Sequence, residues 1–195
     1  MERFNDNLQR SDSTMTCNSV AEIFDDIDST RADLLRSVEG LSAEQRDFRP
    51  SPDRWSVAEI VEHLSIVEGN VVRLLGMLME KAGEEGAARV ADAPFAPVSI
   101  EEFVEQSRGQ KFNAPERIRP TGAPLADSLA RLRDSRSALH SLRPRVEQTD
   151  GAALRFPHPV WGAINLYQWL LFVGAHEQRH LAQINALKET MNAER

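Results

Sequence analysis

Three histidines at helical spacing are the residues of this sequence whose types and positions favour metal chemistry. His176 and His180 are four residues apart, so on a helix both imidazoles project from one face, a turn apart. Both fall in an apolar stripe where leucine or isoleucine would be expected, and His63 falls in a second such stripe. A buried imidazole needs partners for its two nitrogens, and one divalent metal shared by all three is the simplest answer. Three histidine ligands leave coordination positions open, which is typical of catalytic rather than structural zinc sites.

Two residues near the histidine pair are further candidates for a part in the chemistry. The segment from His176 to His180 matches the H-E-x-x-H pattern of zinc metalloproteases, in which Glu177 would be the general base. The sequence has no strand pattern for the sheet-bearing domain of those proteases. This disfavours a peptidase but leaves Glu177 as a candidate catalytic residue. Gln183 lies on the same helical face and either hydrogen-bonds a metal ligand or simply packs at the end of the bundle.

Four long amphipathic stretches are expected to form the helices that position these residues. Their predicted ranges are 19–40, 57–82, 124–143 and 165–191. A capping box of Ser56 and Glu59 begins the second helix, Asn165 and Gln168 can begin the fourth in the same way, and Pro144 is expected to end the third. No strand pattern of consequence is present. The pattern predicts an all-α fold, and a four-helix bundle is its natural architecture.

The remaining segments suggest one domain with a tail and long connections. Residues 1–18 are polar and unpatterned, so we expect a mobile N-terminal tail before a bundle domain at 19–195. Residues 83–120 are rich in Gly, Ala and Pro and form a long connection with a short helix at about 100–107. Residues 150–162 are expected to be a turn-rich link.

Composition and charge exclude several functional classes. The formal net charge is −7, and the arginines of 131–145 are interspersed with acidic residues, which indicates a solvated helix face rather than a nucleic-acid surface. Cys17 is the only cysteine, so no intramolecular disulfide can form. The sequence has neither an apolar signal segment near its start nor an apolar stretch long enough to span a bilayer. A cytoplasmic protein without a membrane partner is therefore the expectation.

Four motifs taken together resemble the DinB-like superfamily of metal-dependent enzymes. They are Trp55-Ser-Val-Ala-Glu-Ile-Val-Glu-His63-Leu, Ala114-Pro-Glu-Arg, His158-Pro-x-x-Gly162 and His176-x-x-Arg-His180-x-x-Gln183-Ile. The resemblance covers about residues 20–190. It implies a four-helix bundle with a non-standard order of connections. It also implies a site for a divalent metal, commonly nickel or zinc, whose ligands carry over onto His63, His176 and His180.

The resemblance also implies classes of reaction and of partner. Characterised members include thiol transferases that use bacillithiol or mycothiol and a mycothiol-dependent isomerase, and homodimers are common. We therefore expect an enzyme that acts on a small molecule at an open three-histidine metal site, by thiol transfer or by hydrolysis. Two alternatives stay open. One is a non-catalytic stress-response binding module with a structural metal, and the other is a member of the fold that binds no metal.

Overall fold

Four long helices and two short ones make up most of the chain in the computed structural model, which describes residues 16–85, 94–107 and 113–193. The long helices are α1 (Val20–Val38), α3 (Val57–Glu85), α5 (Leu125–Gln148) and α6 (Leu166–Ala193). The short helices are α2 (Ala43–Asp47) and α4 (Glu101–Ser107), and a single 3₁₀ turn covers Glu116–Ile118. None of the helices in the described ranges is long and apolar enough to cross a membrane. The predicted all-α four-helix bundle is confirmed.

The helix starts follow the capping signals of the sequence, whereas one predicted helix end is wrong. The backbone N–H of Ser56 donates to Glu59, and the N–H of Glu59 donates to the Ser56 hydroxyl. Asn165 and Gln168 exchange the same two bonds at the start of α6, each 2.9 Å long. Pro144 does not end α5, which runs on to Gln148. Proline removes one backbone donor, but the fully buried side chain of Val146 holds the following turn in the core.

The helices pack around the bundle in the order α1, α6, α3, α5. The consecutive helices α1 and α3 therefore lie across the bundle from each other, and so do α5 and α6. In a simple up-and-down bundle every consecutive pair would be adjacent. The non-standard order that the resemblance implied is thus present. It places α3 directly against α6, the two helices that carry the three histidines.

Two small antiparallel sheets depart from the purely helical expectation. Strand β1 (Thr16–Cys17) pairs with β2 (Val98–Ser99), and β3 (Arg155–His158) pairs with β4 (Gly162–Asn165). Strands of two to four residues are too short to produce a recognisable period in the sequence. Of the predicted tail at residues 1–18, residues 1–15 lie outside the described part of the chain. Residues 16–17 form strand β1.

The apolar core is divided into two parts by a layer of buried charges. One apolar cluster includes Ile27 and Val71, and the other includes Leu34 and Leu64. The layer between them takes one residue from each long helix: Arg31 from α1, Glu68 from α3, Arg136 from α5 and Glu177 from α6. All four side chains are at least nine-tenths buried. We call these four residues the charge layer.

Each member of the charge layer is paired with both members of opposite charge. The Arg31 guanidinium donates to Glu177 at 2.6 Å and also to Glu68. Arg136 donates to Glu68 and to Glu177, each at 3.2 Å. Arg31 also donates a hydrogen bond to the backbone carbonyl of Leu132, and Arg136 donates one to the carbonyl of Ile27, each at 2.7 Å. In the described part of the chain no fully buried polar side-chain atom lacks a hydrogen-bond partner.

The charge layer corrects one interpretation of the sequence. The arginines of 131–145 were expected on a solvated face, which holds for Arg133 but not for Arg136. Arg136 lies on the stripe of Leu132 and Leu139, at the height of the two glutamates. Burying a charge without a partner costs free energy, so Arg136 is stable inside the core only while Glu68 and Glu177 pair with it.

The charge layer predicts a large difference between two substitutions on the same helix. Arg136→Met leaves Glu68 and Glu177 with one arginine between them. We expect it to lower the free energy of unfolding by about 3–5 kcal/mol. Arg133→Met removes only an exposed pair with Asp134, and we expect a change below about 1 kcal/mol. Urea unfolding of both variants checks this, and equal losses would contradict the role of the layer.

Candidate metal centre

The three histidines converge between α3 and α6. His63 comes from α3, whereas His176 and His180 come from successive turns of α6. The Nε2 atoms of His63 and His176 are 3.3 Å apart. One ligand nitrogen from each of the three rings lies within 4.8 Å of the other two. The spacing of His176 and His180 and the inward face of His63 thus produce one compact cluster.

The outer nitrogens of two rings are held by protein acceptors. Nδ1 of His63 lies 2.7 Å from the carbonyl oxygen of Ile118, and Nδ1 of His180 lies 2.8 Å from the amide oxygen of Gln183. Both acceptors require the proton on Nδ1, which leaves the Nε2 lone pair free to face the centre of the cluster. Gln183 therefore holds a cluster histidine, one of the two roles that its position in the sequence allowed.

Burial keeps all three imidazoles in the form that binds metal. Burial lowers the pKa of His63, although the Ile118 carbonyl opposes the shift. Burial, followed by the charge of His63, lowers the pKa of His180 to about 3. Burial, followed by the charges of His180 and His63, lowers the pKa of His176 well below its ordinary value. At neutral pH the cluster consists of neutral imidazoles, which are the protonation state of a metal ligand.

The donor set fits a divalent transition metal. Two imidazole nitrogens bound to one zinc ion at about 2.1 Å and a tetrahedral angle lie about 3.4 Å apart. The 3.3 Å between the Nε2 atoms of His63 and His176 agrees with that separation. Imidazole ligands suit zinc, nickel, copper and iron and do not suit magnesium or calcium. His63, His176 and His180 are thus the residues that would hold the ion.

A buried glutamate beside His63 fixes the segment that supplies the Ile118 carbonyl. Glu62 accepts hydrogen bonds from the backbone N–H and hydroxyl of Thr121 and from the N–H groups of Gly122 and Ala123, at 2.7–3.0 Å. Burial raises the pKa of Glu62, but these hydrogen bonds outweigh it and hold the pKa below its usual value. Glu62 could not be predicted as a functional residue from the sequence, because its hydrogen-bond partners lie about sixty residues away and no local pattern indicates them.

Aromatic rings form the walls around the cluster. Trp55 lies against His63 and His180, with ring centroids 4.9 and 6.4 Å away. Phe172 stacks on His176 at 5.2 Å and also contacts His158 at 4.7 Å. Nδ1 of His158 accepts the backbone N–H groups of two nearby residues of its hairpin. Burial lowers the pKa of His158 to about 4, so this ring is neutral as well.

Glu177 and Cys17 lie away from the centre of the histidine cluster. Both carboxylate oxygens of Glu177 accept hydrogen bonds from the arginines of the charge layer. Its expected role as a general base remains a prediction. Cys17 is buried in the core, and burial together with the nearby Asp26 and Glu22 raises its pKa to about 11. A thiol in that state is a poor nucleophile.

Comparison with known proteins identifies one family and a common fold. Residues 26–184 match the DinB superfamily. The uncharacterized protein YuaE of Bacillus subtilis (strain 168) is 30% identical over 166 residues, which cover 82% of this chain and 93% of YuaE.

Two solved structures share the architecture. TT2238, a four-helix bundle protein, has a TM-score of 0.57 and 18% identity over 86% of this chain and 98% of its own. YfiT from Bacillus subtilis, described as a probable metal-dependent hydrolase with an unusual four-helix bundle topology, has a TM-score of 0.58 and 20% identity. That match covers 89% of this chain and 87% of YfiT. At these identities the two structures establish the fold.

The interaction of Glu62 with residues 121–123 predicts an effect on metal affinity at a distance. In Glu62→Gln the amide group presents an N–H group to backbone donors, so the segment shifts and Ile118 no longer orients His63. We expect zinc affinity to fall about 10- to 100-fold, the usual effect of losing such a partner. Competition with a chromophoric chelator measures it. Glu80→Gln, on the exposed face of the same helix, is the matched control and should leave the affinity unchanged.

Proposed function

Because this chain belongs to the DinB superfamily, we propose that it is a metal-dependent enzyme that acts on a small molecule. Its site is the cluster of His63, His176 and His180, which we propose binds one divalent ion, nickel or zinc. The observation that carries the proposal is the convergence of three imidazoles, two buried and one partly buried, whose ligand nitrogens share one small volume. No other group of three or more potential ligands of this kind occurs in the described residues.

The reaction class follows from what the cluster offers and from what it lacks. A divalent metal in this site supplies a Lewis acid that acidifies a water molecule or a thiol at neutral pH. The one cysteine is buried in the core with a raised pKa, so it does not supply a thiolate nucleophile. We assign the nucleophile to a water or thiol from outside the protein. Water as the nucleophile gives hydrolysis, which is also the reaction that the description of YfiT names for that protein.

Thiol transfer is the second candidate reaction. A low-molecular-weight thiol of the bacillithiol or mycothiol type can supply the same external nucleophile, and the site needs no cysteine of its own for this. In both reactions the protein's own residues keep the three imidazoles neutral and oriented. Burial keeps the rings neutral. Hydrogen bonds to Ile118 and Gln183 orient His63 and His180, and the rings of Trp55 and Phe172 pack against the cluster.

Glu177 remains a candidate general base, but its surroundings favour a positioning role. A proton taken up by this carboxylate would weaken its pairs with Arg31 and Arg136. We further propose that the protein works in the cytoplasm as a homodimer, without nucleic-acid or membrane partners. The rival to an enzyme is a binding module in which the metal is structural or absent.

Metal content is the first test of this proposal. Protein produced without a polyhistidine tag should contain about one divalent ion per chain, with anomalous scattering located between the three rings. We expect His63→Ala and His176→Ala to lose the ion and the rise in melting temperature that it gives. His140→Ala, a histidine outside the cluster, should keep both. Unchanged metal content and melting in all variants would exclude the site.

Turnover is the second test and separates the enzyme from the binding module. Metal-loaded protein is assayed with simple esters and amides, and with an electrophile plus bacillithiol or mycothiol. We expect one of these reactions to be at least about 100-fold slower in His63→Ala and after chelation. Metal binding without turnover across both panels would favour the module, and turnover that survives chelation would contradict a metal-dependent enzyme.

A further inference from the structure

His176 differs from the other two histidines in the partner of its outer nitrogen. Nδ1 of His63 and Nδ1 of His180 each have a protein acceptor. The Nε2 of His176 lies beside that of His63, so Nδ1 is the outer nitrogen of this ring. Among the described residues no protein atom accepts a hydrogen bond from it. His176 is only partly buried, and no fully buried polar side-chain atom of the described residues lacks a partner, so water can reach Nδ1. Since a metal-binding imidazole nearly always donates its second N–H, water is the acceptor that remains.

A cavity beside His176 has the right size and lining for that acceptor. It measures about 10 Å³ and lies between α3 and α6. This is about the smallest volume that holds one water molecule, which needs two to four polar partners. His176, Glu68 and Glu177 line the cavity, and the rest of its wall is apolar and includes Val71 and Phe172.

We propose that this cavity holds one ordered water that accepts the Nδ1–H of His176 and donates to the carboxylates of Glu68 and Glu177. The four oxygens of these carboxylates each accept one arginine hydrogen bond. A carboxylate oxygen has two lone pairs, so each retains a site for a further donor. The proposal rests on the proposed function, because it takes His176 to be a metal ligand.

The water makes Glu68 and Glu177 positioning residues for the metal. The water connects the charge layer to His176. It has the same role for this ring that the Ile118 carbonyl has for His63 and the Gln183 amide has for His180. A partner of this kind fixes the tautomer and the ring orientation of its histidine. The four charges therefore support the metal centre as well as the bundle.

Filling the cavity without changing a charge tests the proposal. Val71→Ile adds one methylene group at a buried lining position. Val146→Ile adds the same group at a buried position of the same apolar cluster, away from the cavity. Chelator competition with zinc should show affinity about tenfold weaker for Val71→Ile and nearly wild-type affinity for Val146→Ile. Equal affinities in the two variants overturn the proposal.

A second measurement does not depend on how the variants fold. The crystal structure of the zinc-loaded wild-type protein, at a resolution that shows ordered water, should have density within hydrogen-bond distance of His176 Nδ1 and a carboxylate oxygen. A dry cavity, or an Nδ1 bonded to protein, overturns the proposal. If the wild-type protein binds zinc but the cavity is dry or Nδ1 is bonded to protein, only the proposal of an ordered water is refuted. Wild-type protein that binds no zinc refutes the proposed function and the water together.

Discussion

The pairing of two arginines with two glutamates across the centre of the bundle is the interaction on which the rest of the structure depends. Four buried ions in a medium of low dielectric are tolerable only when each is paired and hydrogen-bonded. Every long helix supplies one of them, so the four must meet at the same height. Apolar side chains tolerate repacking of a core, whereas a helix that slid by one turn would leave a charge without its partners. The layer therefore fixes the register of all four helices.

This register also determines where the histidine cluster lies. Glu177 follows His176 directly, and Glu68 lies little more than one turn beyond His63 on α3. Any movement that separates the glutamates from the arginines of α1 and α5 also displaces the histidine rings. The crossed order of the helices matters for the same reason, because it brings α3 against α6 and the other two helices behind them. The histidines come from two helices, but their positions are supported by four.

The sequence predicts the histidine cluster well because each of its signals is local. A four-residue spacing, an apolar stripe and a capping box can each be recognised within one turn or two, and the structure brings His63, His176 and His180 together as they indicate. The charge layer was not predicted, because a charged residue within an apolar stripe looks like a break in the amphipathic pattern of the helix. Ile27, Arg31 and Leu34 lie on one stripe, yet only knowledge of the other helices shows that Arg31 has partners. Glu62 and the crossed helix order were beyond local reasoning too, since both depend on contacts between distant segments.

Protein groups orient the rings of the histidine cluster. Apolar clusters pack the bundle on either side of the charge layer, and the outer nitrogens of His63 and His180 have protein acceptors. A site whose ligands are already oriented requires little reorganisation when the ion binds or when charge develops in a reaction. Burial adds to this, because it keeps the imidazoles neutral below neutral pH. The fold therefore holds the three histidines in place through its own hydrogen bonds and packing.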